Sequence, residues 1–204
     1  MSKNERQKKS IEGDEDRVKR RHEENEETVN TEIIHHGRNF TFEVRTIVLP
    51  SGKITTRDIV EHPGAVAIIP LLDKNTVILV EQHRTAAGKT LLEIPAGTLQ
   101  PPETPEECAR RELTEETGYE AKTFKKLAGG YSAPGYSSEK IHIYLATDLT
   151  YTQQNPEEDE IIATRKINLK TLQQMIQNQE IEDLKTIAAI LQLQLLTNNN
   201  TRKT

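Results

Sequence analysis

The chain has 204 residues, 29% of them charged, and a formal net charge of -5. That length points to a single domain, and the acidic balance argues against nucleic acid as the main partner. The one cysteine, Cys108, excludes an internal disulfide and fits a reducing compartment, and no apolar run approaches the roughly 20 residues that span a bilayer.

In chain order, Met1 to about Thr31 is dense in Lys, Arg, Glu and Asp and almost free of apolar residues. Such a segment buries too little surface to offset its ordering entropy, so residues 1–31 are expected to be a charged tail. Its basic run, Arg17 to Arg21, reads as solvated. No apolar stretch near Met1 resembles a secretory signal, and the expected location is the cytoplasm. A domain is expected over residues 32–197. Phe40, Phe42, Val44 and Thr46 alternate with polar residues, the period of a half-buried strand. Pro50 to Lys53 reads as a turn, and Ile54 to Glu61 as the returning strand of an N-terminal hairpin. Ala65 to Leu72 and Thr76 to Glu81 are apolar runs consistent with buried strands, and Thr90 to Ile94 is a shorter one. Gly97 to Pro102 reads as a loop.

Thr104, Pro105 and Glu107 form a capping-box pattern with proline at the first helical position, and Gly118 suits a left-handed residue just past a helix end. The spacing predicts a helix over Pro105 to Thr117. Ala109 and Leu113 lie on an apolar side of it; Cys108 reads as a packing residue. Strands follow near Ala121–Leu127, Lys140–Thr147 and Ile161–Ile167, with loops at Gly129–Ser138 and Asp148–Asp159. A helix is expected over Leu169–Gln177. A last one runs from about Ile181 to Leu196, with Leu184, Ile187, Ala188, Leu191 and Leu195 on its apolar side. Residues 198–204 are expected to fray. This alternation is that of a mixed α/β (α+β) domain.

The acidic side of the Pro105–Thr117 helix carries the chemistry. Glu112, Glu115 and Glu116 are three and four residues apart, so their carboxylates share one face. So much negative charge repels itself unless a cation sits among the oxygens. Hard divalent ions, magnesium above all, take such ligands and commonly bridge to substrate phosphates. Arg111, one turn before Glu115, can hold the acidic cluster by charge-assisted hydrogen bonds. Glu103 can support the loop or lie near the metal, and the supporting role is preferred.

The residues Gly97, Glu103, Arg111, Glu112, Glu115, Glu116 and Gly118, at these spacings, resemble the signature box of the Nudix hydrolases. Chance would fill those positions on the order of 10⁻⁸ per window at average composition. Tyr119 stands where an aliphatic residue is usual. The resemblance implies a mixed β-sheet sandwiched between α-helices. It also implies hydrolysis of a nucleoside diphosphate linked to another moiety, with Mg2+ (or Mn2+) held by Glu112, Glu115, Glu116 and the main-chain carbonyl of Ala96.

Other segments resemble the ADP-ribose pyrophosphatase branch: Glu61 to Val66, Glu81 to Arg84, Leu92 to Gly97, Ser132 to Tyr136 with Pro134, and Asp183 to Thr186. In Ser132-Ala133-Pro134-Gly135, Ala133 departs from the usual Ser-Pro-Gly. The substrate so implied is ADP-ribose, cleaved to AMP and ribose 5-phosphate. Alternatives are a nucleotide sugar, an oxidised nucleotide, or a non-catalytic ADP-ribose sensor; the last is expected to show a degraded box, and this one is complete. The same likeness places Arg84 on phosphate, Glu93 on ribose hydroxyls, and Arg57 and Asp58 on adenine. His62 and His83 read as packing or surface residues. The general base is implied to be Glu160, with Glu157 and Glu158 as alternatives, on a loop that closes over substrate. A homodimer paired through N-terminal strands is also implied.

Overall fold

The computed structural model describes residues 25–155 and 161–201, with side chains to residue 197. Most of the expected tail and all three candidate bases, Glu157, Glu158 and Glu160, lie outside the described residues. The chain divides into two compact units, residues 1–61 and 62–204.

The first unit contains one antiparallel sheet of β1 (Glu27–His36), β2 (Thr41–Val48) and β3 (Ile54–Glu61), in that order. Residues 27–31, assigned to the tail by composition, are therefore strand. Every residue of β1 is exposed, and bulges between Thr28 and Asn30 and between Ile33 and His35 break its alternation. With no buried face there is no period-2 signal to read; the main-chain ladder to β2 holds the strand. Arg45 and Arg57 stand opposite each other across β2 and β3, and each is compensated. Arg45 donates to Glu43 and to Glu61 (2.7 Å), and Arg57 to Glu26 (2.5 Å).

The second unit holds β4 (Ala65–Pro70), β5 (Thr76–Arg84), β6 (Lys89–Glu93), β7 (Ala96–Thr98), α1 (Pro105–Thr117), β8 (Tyr119–Tyr131), β9 (Lys140–Tyr151), β10 (Ile162–Asn168), α2 (Leu169–Gln177) and α3 (Leu184–Thr201). A mixed sheet runs β7-β4-β9-β8, with β4 and β9 parallel, and an antiparallel sheet runs β10-β5-β6. The unbroken apolar run of β4 follows from burial of both its faces. Val66 and Ile68 pack with Cys108, Ala109 and Leu113 of α1. Ala67 and Ile69 pack with Leu172 of α2 and with Ala189, Ile190 and Leu193 of α3. The mixed sheet is thus covered by helices on both faces, as expected. Each Val, Ile or Leu side chain among them contributes roughly 1.5–3 kcal/mol by leaving water.

Several boundaries differ from the sequence reading. Gly97 and Thr98, read as the start of a loop, pair with β4 together with Ala96 as β7. β8 and β9 extend to the pair Tyr119 and Tyr151 at one end and Tyr131 and Lys140 at the other. Their polar tips are strand because a neighbour satisfies the backbone, not because a face is buried. The largest correction concerns α3. Its buried stripe is Thr186, Ala189, Ile190 and Leu193, while Leu184, Leu191 and Leu195 are exposed. Two stripes of this helix are apolar, so periodicity alone could not choose its rotation. The helix also starts at Leu184, where Asp183 accepts the Thr186 N–H at 3.0 Å, and runs to Thr201 instead of fraying from Asn198.

Candidate active site

Helix α1 is fixed at both ends by the signals read from its sequence. Thr104 accepts the Glu107 N–H, and the Glu107 carboxylate accepts the Thr104 N–H at 2.7 Å, closing the capping box. Gly118 lies in the left-handed region at φ 75°, and its N–H donates to the Thr114 carbonyl at 2.9 Å. Between these ends the helix buries Cys108, Ala109 and Leu113 and turns Arg111, Glu112 and Glu116 to β7. Burial pushes the Cys108 thiol well above its ordinary pKa, as a packing role requires.

Arg111 is the hub of the acidic face. Its guanidinium donates to Glu103 (2.8 and 3.2 Å), to Glu112 (2.7 Å) and to Glu115 (3.0 Å). The same group reaches the Thr98 carbonyl at 3.4 Å. These partners, Glu103 first, raise the Arg111 pKa further, and Arg111 lowers that of Glu103. Glu103 also accepts the Gln100 N–H at 2.8 Å, which ties down the loop before the helix. Glu116 is only 1% exposed and accepts the Ala96 N–H at 3.0 Å. Glu112 sits over Gly97, where a Cβ would come within 1.8 Å of its carboxyl carbon. Thus Ala96, Gly97 and Thr98 each meet one polar group of α1.

The same three residues line a cavity of about 660 Å³. Its other walls include Arg84 at the end of β5, Tyr131 and Ser132 at the tip of β8, and Asp183 and Lys185 at the start of α3. The acidic helix and the cavity therefore share β7 as a common wall.

A model of the NUDIX domain matches residues 61–190 of this chain. The chain belongs to the Nudix family. It is 40% identical over 172 residues to the ADP-ribose pyrophosphatase of Bacillus subtilis (strain 168), covering 83% of this chain and 93% of that protein. The same identity and coverage relate it to the methanol dehydrogenase activator of Bacillus methanolicus. A solved structure described as an ADP compounds hydrolase superposes with a TM-score of 0.76, covering 87% of this chain and 97% of that one, at 23% identity. That last likeness establishes the fold.

Nudix hydrolases generally use divalent metal ions. The donor chemistry of the box suits one: Glu112, Glu115 and Glu116 offer hard carboxylate oxygens beside the β7 backbone. Among the described residues, however, no three acidic, histidine or cysteine side chains are gathered closely enough to hold an ion. Here Arg111 Nη1 is the cation shared by Glu112 and Glu115.

The remaining residues singled out in the sequence fall in several places. Arg84 lines the cavity, but its Nε and Nη2 donors are both engaged by Glu93, at 2.8 Å each. Glu93 does not face the cavity; it is 1% exposed, behind Arg84 and Lys185. Burial opposes its ionisation, yet the hydrogen bonds from Arg84 and the charge of Lys185 outweigh burial and lower its pKa. Pro134 is exposed in a turn closed on the Ala133 carbonyl, and Tyr131 and Ser132 form the wall at that end instead. Arg57 and Asp58 lie on β3 in the first unit, whereas the cavity is built from residues of the second alone. His62 Nδ1 accepts the Gly64 N–H, a structural role.

Three contributors carried no role in the sequence reading. Lys185 and Asp183 stand on the cavity wall, in a segment noticed only as a likeness to relatives. Gln154 donates to the carbonyls of Glu116 (2.7 Å) and Ile162 (3.3 Å), joining the end of α1 to the start of β10. Nothing in its local sequence distinguishes it from its neighbour Gln153.

Proposed function

We propose that this Nudix protein is a Mg2+-dependent diphosphatase that hydrolyses ADP-ribose to AMP and ribose 5-phosphate. The observation that carries the reading is the shared wall: Ala96, Gly97 and Thr98 line the cavity on one side and meet Glu116, Glu112 and Arg111 on the other. A diphosphate in the cavity would lie beside the acidic face of α1. The relationship to an ADP-ribose pyrophosphatase over most of both chains supports the choice of substrate.

In this reading Glu112, Glu115 and Glu116, with the main-chain carbonyl of Ala96, hold Mg2+ or Mn2+. A divalent ion bound there would offset negative charge developing on the diphosphate. Arg111 holds Glu112 and Glu115 in place relative to each other by hydrogen bonds from one guanidinium. Arg84 offers a cationic edge to phosphate oxygens. Glu160 is retained as the candidate base, with Glu157 and Glu158 as alternatives, on resemblance alone. Arg57 and Asp58 as adenine contacts, Pro134 as a substrate contact, a homodimer and a cytoplasmic location belong to the same reading.

A hydrolysis panel in Mg2+, with products identified by mass, tests it. ADP-ribose should give AMP and ribose 5-phosphate faster than nucleotide sugars or oxidised nucleotides react. Preference for another compound would replace the substrate. Binding of ADP-ribose without release of AMP would make the protein a sensor.

A further inference from the structure

Lys185 has no part in the chemistry set out above. Its ammonium pairs with Glu93 and, at 3.0 Å, with Asp183, and its side chain is only 15% exposed. Glu93 in turn engages two donors of Arg84. Asp183 accepts the N–H and the hydroxyl of Thr186, at 3.0 and 2.5 Å, and the Thr186 hydroxyl oxygen accepts the Ile94 N–H at 2.9 Å. Thr186 is fully buried. The start of α3 is therefore tethered to the end of β6 through two adjacent residues, Lys185 to Glu93 and Thr186 to Ile94.

Within this set two carboxylates balance two cations, and Arg84, Asp183 and Lys185 all line the cavity. A carboxylate as deeply buried as Glu93 needs cationic partners to remain ionised. Glu93 grips the Arg84 guanidinium through Nε and Nη2, so the place of Glu93 sets the direction of the guanidinium. With Lys185 sharing the charge, Arg84, whose side chain is still 38% exposed, can present its outer edge to the cavity.

We infer that Lys185 is a positioning residue for ligand binding: it holds Glu93 from the side of α3 and so sets the Arg84 guanidinium towards anionic phosphate oxygens in the cavity. The inference rests on the diphosphate reading of that cavity. It separates Lys185 from a lysine that merely stabilises the fold, because ligand affinity should change more than the chemical step.

The test is steady-state kinetics of the full chain with ADP-ribose and Mg2+, comparing the parent with Lys185→Met, Lys185→Gln and Lys185→Arg, alongside thermal unfolding of each. Lys185→Met should raise KM about tenfold, the scale of one charged hydrogen bond, with kcat within about twofold. Lys185→Arg, which keeps the charge, should recover most of that loss. A Lys185→Met KM within about twofold of the parent would overturn the inference, as would equal defects in the Met and Arg variants. If Lys185→Met does not fold, the Gln and Arg variants make the same comparison. If the parent does not cleave ADP-ribose, the substrate reading fails by itself, and the KM ratios are measured with the nucleotide that the panel identifies.

Discussion

A methyl group on residue 97 would lie 1.8 Å from the Glu112 carboxyl carbon. No side chain fits there unless that carboxylate moves. Gly97→Ala should therefore lower stability by about 1–3 kcal/mol, the usual cost of overpacking, and depress turnover by dislodging Glu112. Urea denaturation and a rate assay read the two effects, and an unchanged unfolding midpoint would contradict the tight seat described for Glu112. Glu115 and Glu116 differ in setting, since Glu115 is partly exposed and Glu116 is buried on the Ala96 N–H. Replacing either by Gln keeps an acceptor but removes charge. Each variant should remain folded and lose roughly a hundredfold or more in kcat, the scale seen when one preorganised electrostatic group is removed. Full activity of Glu116→Gln would remove it from the metal-binding set.

At the scale of elements, α1 is positioned by its caps as much as by its buried face. Thr104→Ala breaks the capping box and should cost about 1 kcal/mol, measurable as a shifted urea midpoint. The tether between β6 and α3 makes a pH-dependent prediction. Glu93 has a lowered pKa in the folded protein, because Arg84 and Lys185 overcome the effect of burial. A group of that kind contributes stability above its unfolded pKa and loses it as the pH falls through the lowered value. Stability should thus decline on acidification below the ordinary carboxylate range, and Glu93→Gln should flatten that decline. Urea midpoints at pH 7 and at about pH 3 for parent and variant provide the check; parallel pH profiles would exclude Glu93 as a source of acid sensitivity.

For the whole molecule, chelation of divalent ions should abolish hydrolysis without unfolding the protein, since two apolar clusters in the second unit hold its fold. Returning Mg2+ or Mn2+ should restore the rate. The combination of ion and AMP should raise the melting temperature by mass action on the folded state. Loss of circular dichroism on chelation would instead mean that the ion is structural. The proposed homodimer predicts sedimentation at about twice the 23.2 kDa chain mass.

The amino-acid sequence alone determined the helix Pro105–Thr117, its caps, its acidic face and most strand cores. These features are local: capping partners lie three residues apart, and a buried face prints its period on adjacent residues. It could not disclose β1, whose exposed residues follow no period, or the rotation of α3, where two apolar stripes compete. Nor could it show Glu93 behind two cations, because Arg84 and Lys185 come from β5 and α3 and meet it only once the chain is packed. Tertiary structure decided those points, since the charge and hydrogen-bond partners that settle them are distant along the chain.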